Sequence, residues 1–476
     1  MTVDLTISDA EIETFLAYHN EGAQPSQRLE LDEPRRELLK GWRDVRACPG
    51  SGKTTILAVK LLLLAGKWSA PHQGICVLTH TNVACDEIRD RLIGHPAGHR
   101  FETYPHFVGT IQEFVHRFLA LPYIRSKGIK VHRIDDGAAT GYMTRRANQV
   151  VRTFLDNRNL PIAGLKLNNK TGAPLVPGFN PGSEKPAYKA MLSLLTDRLK
   201  DGVFFYSEMY HYARKCIVED PDVVTALRLR FPAVFADEMQ DTSDYQDDLI
   251  RGLFACDEVR LQRVGDPDQA IYGSMGEGKP NTSFNGAEDH HVIGTTHRFR
   301  NTISQKISGI SVGRIGEIAS LAPAERINHP HTILLFDENT KPHVLDAFSA
   351  ILADEDPQFT WRSVKAVGAN DGEGGFIQQY WPAFDKRKTP TSFRPLTLRE
   401  AVVRNWNDQS PHAQQRYAAI LRAVTDLLRL AGVRRANPGP FHSETTLIAM
   451  LKAKGSYVRF RQLEHFSIKL TGSPSF

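Results

Sequence analysis

Ala47-Cys48-Pro49-Gly50-Ser51-Gly52-Lys53-Thr54-Thr55 is a stretch whose residue types suit a polyphosphate. Small residues let successive backbone N–H groups converge on phosphate oxygens, and a helix starting there adds the positive end of its dipole. In such a loop the lysine, Lys53, reaches the β- and γ-phosphates, and the next hydroxyl, Thr54, sits on Mg2+. The strict pattern opens on glycine, where this chain has Ala47. Far downstream, Val234-Phe235-Ala236-Asp237-Glu238-Met239-Gln240-Asp241 supplies the complementary half. Asp237 would hold Mg2+, and Glu238 would orient and deprotonate an attacking water. The pair predicts Mg2+-dependent hydrolysis of a nucleoside triphosphate.

These residues need a scaffold that brings distant segments to one edge. Trp42–Ala47 reads as a short strand before the loop, and Ile56–Leu63 as an apolar helix after it. Ala233-Val234-Phe235-Ala236 reads as a buried parallel strand with Asp237 at its carboxyl end, the edge where α/β sheets bind ligands. Val77-Leu78-Thr79-His80-Thr81-Asn82-Val83-Ala84 has the layout strand, polar turn, helix start, and Val108-Gly109-Thr110-Ile111-Gln112-Glu113-Phe114 repeats it. After the acidic stretch come Thr242 and Gln246, then Val264-Gly265-Asp266-Pro267-Asp268-Gln269-Ala270-Ile271-Tyr272-Gly273, then Thr296-His297-Arg298-Phe299-Arg300.

In this order the stretches resemble motifs I, Ia, Ib, II, III and IV of the UvrD/Rep-like superfamily 1 DNA helicases, over about residues 25 to 310. The resemblance implies an ATP-dependent DNA helicase or translocase with 3'-5' polarity, acting on single-stranded and duplex DNA. Residue by residue, it implies nucleotide contacts from Ala47 to Thr55 and from Gln240, and Mg2+ ligation by Thr54 and Asp237. It assigns catalysis to Lys53, Asp237, Glu238, Gln269 and Arg298, the arginine offering a planar fork to the γ-phosphate. Thr81, Asn82 and Thr110 fall where the family touches the DNA backbone, and Tyr272 where it stacks a base. Tyr272 would also serve as a core aromatic, and Thr81 and Asn82 as helix caps, a role compatible with DNA contact. The adenine-reading glutamine of the family has Gln27 as its candidate here. Motifs V and VI are not found before Phe476; Lys452-Ala453-Lys454-Gly455 resembles motif V only in part. The expectation is therefore a chain that binds nucleotide and DNA, with an alternative as a truncated regulatory subunit without autonomous unwinding. A narrower resemblance, carried by Ala47–Thr54, Thr79–Ala84 and Gly109–Val115, is to the helicase subunit of Gabija-type anti-phage systems. It implies antiviral defence and a partner nuclease of the OLD family.

The placements predict an α/β architecture: a RecA-like P-loop parallel sheet with a helical insertion, then an incomplete second RecA-like domain with a helical insertion. The first domain is expected over 1–118 and 204–294, and its accessory insertion over 119–203. The second is expected to start over 295–384, with Leu334–Asp337 and Ser363–Gly368 as strands, and a helical insertion over 385–476. At 476 residues the chain has ample core for several domains. A net charge of +5 permits nucleic-acid binding. Cys48, Cys76, Cys85, Cys216 and Cys256 form no Cys-x-x-Cys pair, which argues against zinc or an iron–sulfur cluster. With no signal-like start and no membrane-length apolar run, a cytoplasmic location without membrane partner is expected.

Overall fold

The computed structural model describes residues 3–24, 28–93, 95–270, 281–285, 289–311, 315–322, 332–355, 379–382, 424–425, 428 and 444–453. The chain divides into two compact units, Met1–Arg326 and Ile327–Phe476.

The first unit is organised by six strands: β1 (Val45–Ala47), β2 (Ile75–Thr79), β3 (Phe107–Thr110), β4 (Ala233–Ala236), β5 (Arg260–Gly265) and β6 (His291–Ile293). They lie in the order β6-β1-β5-β4-β2-β3, and every pairing is parallel. A parallel sheet is covered on both faces, so β2 and β4 are buried throughout and largely apolar rather than alternating. Successive residues still point to opposite faces. Ile75, Val77, Ala233 and Phe235 accordingly join one core, while Cys76, Leu78, Val234 and Ala236 join the other. Helices α1 (Asp9–His19), α2 (Glu33–Lys40), α3 (Lys53–Lys67) and α4 (Asn82–Ile93) contribute to the first core. The second core takes in α5 (Ile111–Val115), α6 (Leu121–Ser126) and, after a long excursion, residues 204–254.

That excursion builds a third core of its own. Helices α7 (Asp136–Arg146), α8 (Gln149–Asp156) and α9 (Pro186–Lys200) pack Met143, Val151, Leu155, Met191 and Leu195 together. The central sheet was expected to resume near residue 204. Val203–Phe204 is indeed extended, but it pairs with Arg133–Ile134 in a separate two-residue ladder. Two further helices, α10 (Glu208–Glu219) and α11 (Pro221–Arg230), intervene before the sheet regains a strand at Ala233. The junction is fixed by Arg198 and Glu208, both with no exposed side-chain surface. Glu208 accepts two bonds from the Arg198 guanidinium and one each from the N–H groups of Leu167 and Phe205. Four donors to one carboxylate make the burial of that charge tolerable.

In the second unit, Val344–Glu355 and Glu444–Ala453 are helical. Leu334–Asp337, expected as a strand, is not one. Leu335 is 92% exposed, and no strand pairs with it among the described residues, so its apolar run lacks the partner ladder that makes a strand. Ser363–Gly368 and most of the insertion expected over 385–476 lie outside the described residues, as do Lys454 and Gly455; Lys452 and Ala453 end the helix Glu444–Ala453.

Candidate active site

The segments singled out in the sequence leave the sheet at its carboxyl end. β1 runs into the 48–52 loop and α3, β4 into Asp237–Glu238, β5 into Asp266, and β6 into Thr295–Arg298. Since β6, β1, β5 and β4 are consecutive neighbours, these four exits form one crevice.

The loop's shape depends on two glycines, Gly50 at φ +75° and Gly52 at φ +85°, a region L side chains avoid. Gly50 is constrained a second way. A Cβ there would collide with Arg298 Cβ and lie 2.7 Å from Thr296 Oγ1. The β6 exit is laced to the loop: Thr296 Oγ1 donates to Pro49 O at 2.8 Å, and the His297 N–H to Gly50 O at 3.0 Å. Cys48 N donates to Ile293 O at 3.0 Å. Burial, with Asp266 nearby, pushes the Cys48 thiol up to about 11, so it stays protonated at neutral pH.

Lys53, the first residue of α3, is 9% exposed. Its Nζ and the Ser51 hydroxyl are buried with no hydrogen-bond partner. Asp266 Oδ2 lies 3.9 Å from that Nζ and Glu238 Oε2 lies 4.0 Å from it. Thr54 and Thr55 follow in the first turn, and Arg91 Nε donates to Thr55 Oγ1 at 3.4 Å. Asp237 is 1% exposed. Burial, and then the charge of Glu238, push its carboxyl up to about 7. Glu238 has φ +55°, uncommon for a residue with a side chain and of the kind that clusters at functional sites. Gln240 joins β4 to β5: its amide N–H donates to Glu238 Oε2, and its oxygen accepts from the Asp266 N–H at 2.9 Å. Gln269 donates to Asp266. Arg298 is exposed, and its backbone N–H donates to Thr296 Oγ1 at 3.2 Å.

The residues expected to touch DNA sit further along the same edge, on the neighbouring strands β2 and β3. Thr81 and Asn82 are exposed at the start of α4. The Thr81 hydroxyl accepts from the Ala84 N–H at 3.2 Å, and the Thr110 hydroxyl from the Glu113 N–H at 3.1 Å, so both cap helices. Gln27 and Tyr272 lie outside the described residues.

Four residues here went unassigned in the sequence: Asp266, Tyr206, Gln112 and Arg35. Asp266 is fully buried beside Lys53; its place after Val264-Gly265 at a strand end is the same signal that marked Asp237. Tyr206 is 41% exposed and stacks on His116 with ring centroids 5.8 Å apart and planes 12° from parallel. Gln112, two residues after Thr110, donates to Tyr206 O at 3.3 Å. Nothing in the local sequence pairs residue 206 with residue 116. Arg35 of α2 reaches Ser51 O from outside the motifs.

A profile of the UvrD/REP helicase N-terminal domain matches residues 34–276, half of the chain. The chain belongs to this UvrD/REP helicase family. Its match to DNA helicase II of Escherichia coli is 27% identical over 270 residues, 55% of this chain and 36% of that protein. DNA helicase II of Haemophilus influenzae is 25% identical over 264 residues, 52% of this chain and 35% of its own length. The ATP-dependent DNA helicase srs2 of Schizosaccharomyces pombe is 24% identical over 288 residues, covering 55% of this chain and 30% of its own length. The chain thus aligns with about a third of the length of DNA helicase II. The UvrD/REP match runs from α2 past β5, so it includes the phosphate loop, Asp237 and Asp266 and ends before Arg298. No helix among the described residues is long and apolar enough to cross a membrane.

Proposed function

We propose that this UvrD/REP domain binds ATP with Mg2+, hydrolyses it, and couples the hydrolysis to movement along single-stranded DNA. The carrying observation is Lys53. A buried ammonium without a hydrogen bond, facing carboxylates from two other strand ends, is poorly satisfied by the protein alone. A triphosphate laid on the Gly50–Gly52 cradle supplies the missing acceptors.

The residues present fit the metal as well. Mg2+ binds through one or two protein oxygens and takes the rest from water and phosphate. Thr54 and Asp237 suit that demand, one a hydroxyl in the first turn of α3 and the other a buried carboxylate at the end of β4. When bound, the ion neutralises charge on the β- and γ-phosphate oxygens. Glu238, held by Gln240, takes the proton of the attacking water. Arg298, seated against Gly50, offers its guanidinium to the γ-phosphate side. Gln240 and Gln269 both end on the Asp266 segment, so a change at the γ-phosphate is felt on β4 and β5 together. For DNA, the exposed Thr81 and Asn82 and the half-buried Thr110 and Gln112 offer hydrogen bonds to the backbone, and the stacked Tyr206 offers a face to a base. The 3'-5' polarity, a role in anti-phage defence and an OLD-family nuclease partner belong to this reading on motif resemblance alone.

Glu238→Gln tests it. The variant is expected to bind ATP-Mg2+ and single-stranded DNA as the parent does while DNA-stimulated hydrolysis falls about 10²–10⁴-fold. Unchanged hydrolysis would show that Glu238 is not the base, and lost ATP-Mg2+ binding would show that the two carboxylates have been assigned the wrong way round.

A further inference from the structure

Arg35 sits outside every motif, yet it is 1% exposed and all five of its N–H groups are engaged. Nε and Nη2 donate to Ser51 O at 3.1 and 2.8 Å. Nη2 also donates to Thr295 O at 3.0 Å, and Nη1 to Thr295 Oγ1 at 2.8 Å and to the Asp32 carboxylate. The ring closes because Thr295 Oγ1 donates in turn to Asp32 Oδ2 at 3.2 Å. One guanidinium therefore holds the phosphate loop at Ser51 and the β6 exit at Thr295. These are the two segments that meet at Gly50, where His297 N donates to the loop and Arg298 leaves no room for a Cβ.

We propose that Arg35 is a positioning residue for nucleotide binding, a clamp that sets the phosphate loop and the Thr295–Arg298 segment as one cradle before nucleotide arrives. This rests on the nucleotide site proposed above. A planar fork with a rigid donor set can satisfy two carbonyls, a hydroxyl and a carboxylate at once; the point charge of a lysine cannot. With no N–H left over, Arg35 has nothing to offer a nucleotide base, so its effect on binding must be blind to the base. The fold does not hang on it. Leu38 and Leu39 anchor α2 in the core, and β6 is held by its ladder with β1.

The test compares the full chain with Arg35→Lys and with Thr295→Val, which deletes one hydroxyl of the ring. First, amide hydrogen exchange is followed without nucleotide. Residues 50–53 and 296–298 are expected to exchange about tenfold faster in Arg35→Lys, with β4 unchanged. Second, fluorescent ATP and GTP analogues are titrated with Mg2+. Both dissociation constants are expected to rise by the same factor, about tenfold for Arg35→Lys and about threefold for Thr295→Val. Unchanged exchange in the loop overturns the clamp. A changed ATP-to-GTP ratio overturns it too, because it would place Arg35 on the base. If Arg35→Lys fails to fold, Thr295→Val decides by the same two readouts. A parent chain that binds neither analogue refutes the nucleotide site, and the exchange experiment still judges the clamp by itself.

Discussion

Helix α3 carries two buried lysines seven residues apart, and they are opposites. Lys60 is fully buried, and its Nζ donates to Leu38 O at 3.0 Å, to Gln262 Oε1 at 2.9 Å and to Gly41 O. It also lies 4.2 Å from the centroid of the Trp42 ring. Burial pulls its proton affinity well down, but three oxygens stand where its protons would go, so the amine is part of the scaffold. Lys53, two turns earlier, has no hydrogen bond at all and faces carboxylates beyond hydrogen-bond reach. Burial alone does not mark a functional lysine. Burial with the partners withheld does, because the missing acceptors must come from something that binds.

Breaking the two lysines separates these roles. The largest effect is expected from Lys53→Ala: ATP hydrolysis falls about 10³-fold or more in the presence of single-stranded DNA, while the melting temperature stays within about 3 °C. A large melting loss without a loss of turnover would make Lys53 a scaffold residue like Lys60. Lys60→Met should do the reverse. It strands three acceptors in the core and costs about 2–4 kcal/mol in urea unfolding, while the folded protein keeps its nucleotide affinity.

A third buried group sharpens the contrast by being neutral. His106 Nδ1 accepts from the Ile75 N–H at 3.0 Å in the core, and burial, with Arg100 adding to it, pulls its pKa down to about 4 from 6.5. A histidine depressed in the folded state binds its proton more readily when unfolded. Its stabilisation is therefore complete above about pH 6.5 and is lost as the pH falls toward about 4, by up to about 3 kcal/mol. Urea midpoints across that window should show the slope, and His106→Gln, which keeps an acceptor but cannot titrate, should flatten it.

Much of this site was legible in one dimension because its signals are local. A glycine-flanked lysine before an apolar helix, and an aspartate ending an apolar run, state their own geometry. The capping hydroxyl of Thr81 is legible for the same reason, whereas the cap made by Thr110 was not anticipated. Tyr206 is the counter-example: its exposed ring is held only because His116, 90 residues away, stacks beneath it. Leu334–Asp337 shows the opposite failure, since strand composition was present but a pairing partner was not.

By itself the sequence determined which chemistry is available: residue types that cradle phosphate, hold a divalent cation and move a proton, at strand ends and helix starts that local propensity can specify. Only the tertiary structure decided which of them meet. The order β6-β1-β5-β4 puts four exits side by side, adds Asp266 to the site, joins β4 to β5 through Gln240, and ties the loop to β6 through Arg35. Those relations depend on register and strand neighbourhood between residues up to 260 positions apart, and nothing in a linear pattern encodes which strands are neighbours.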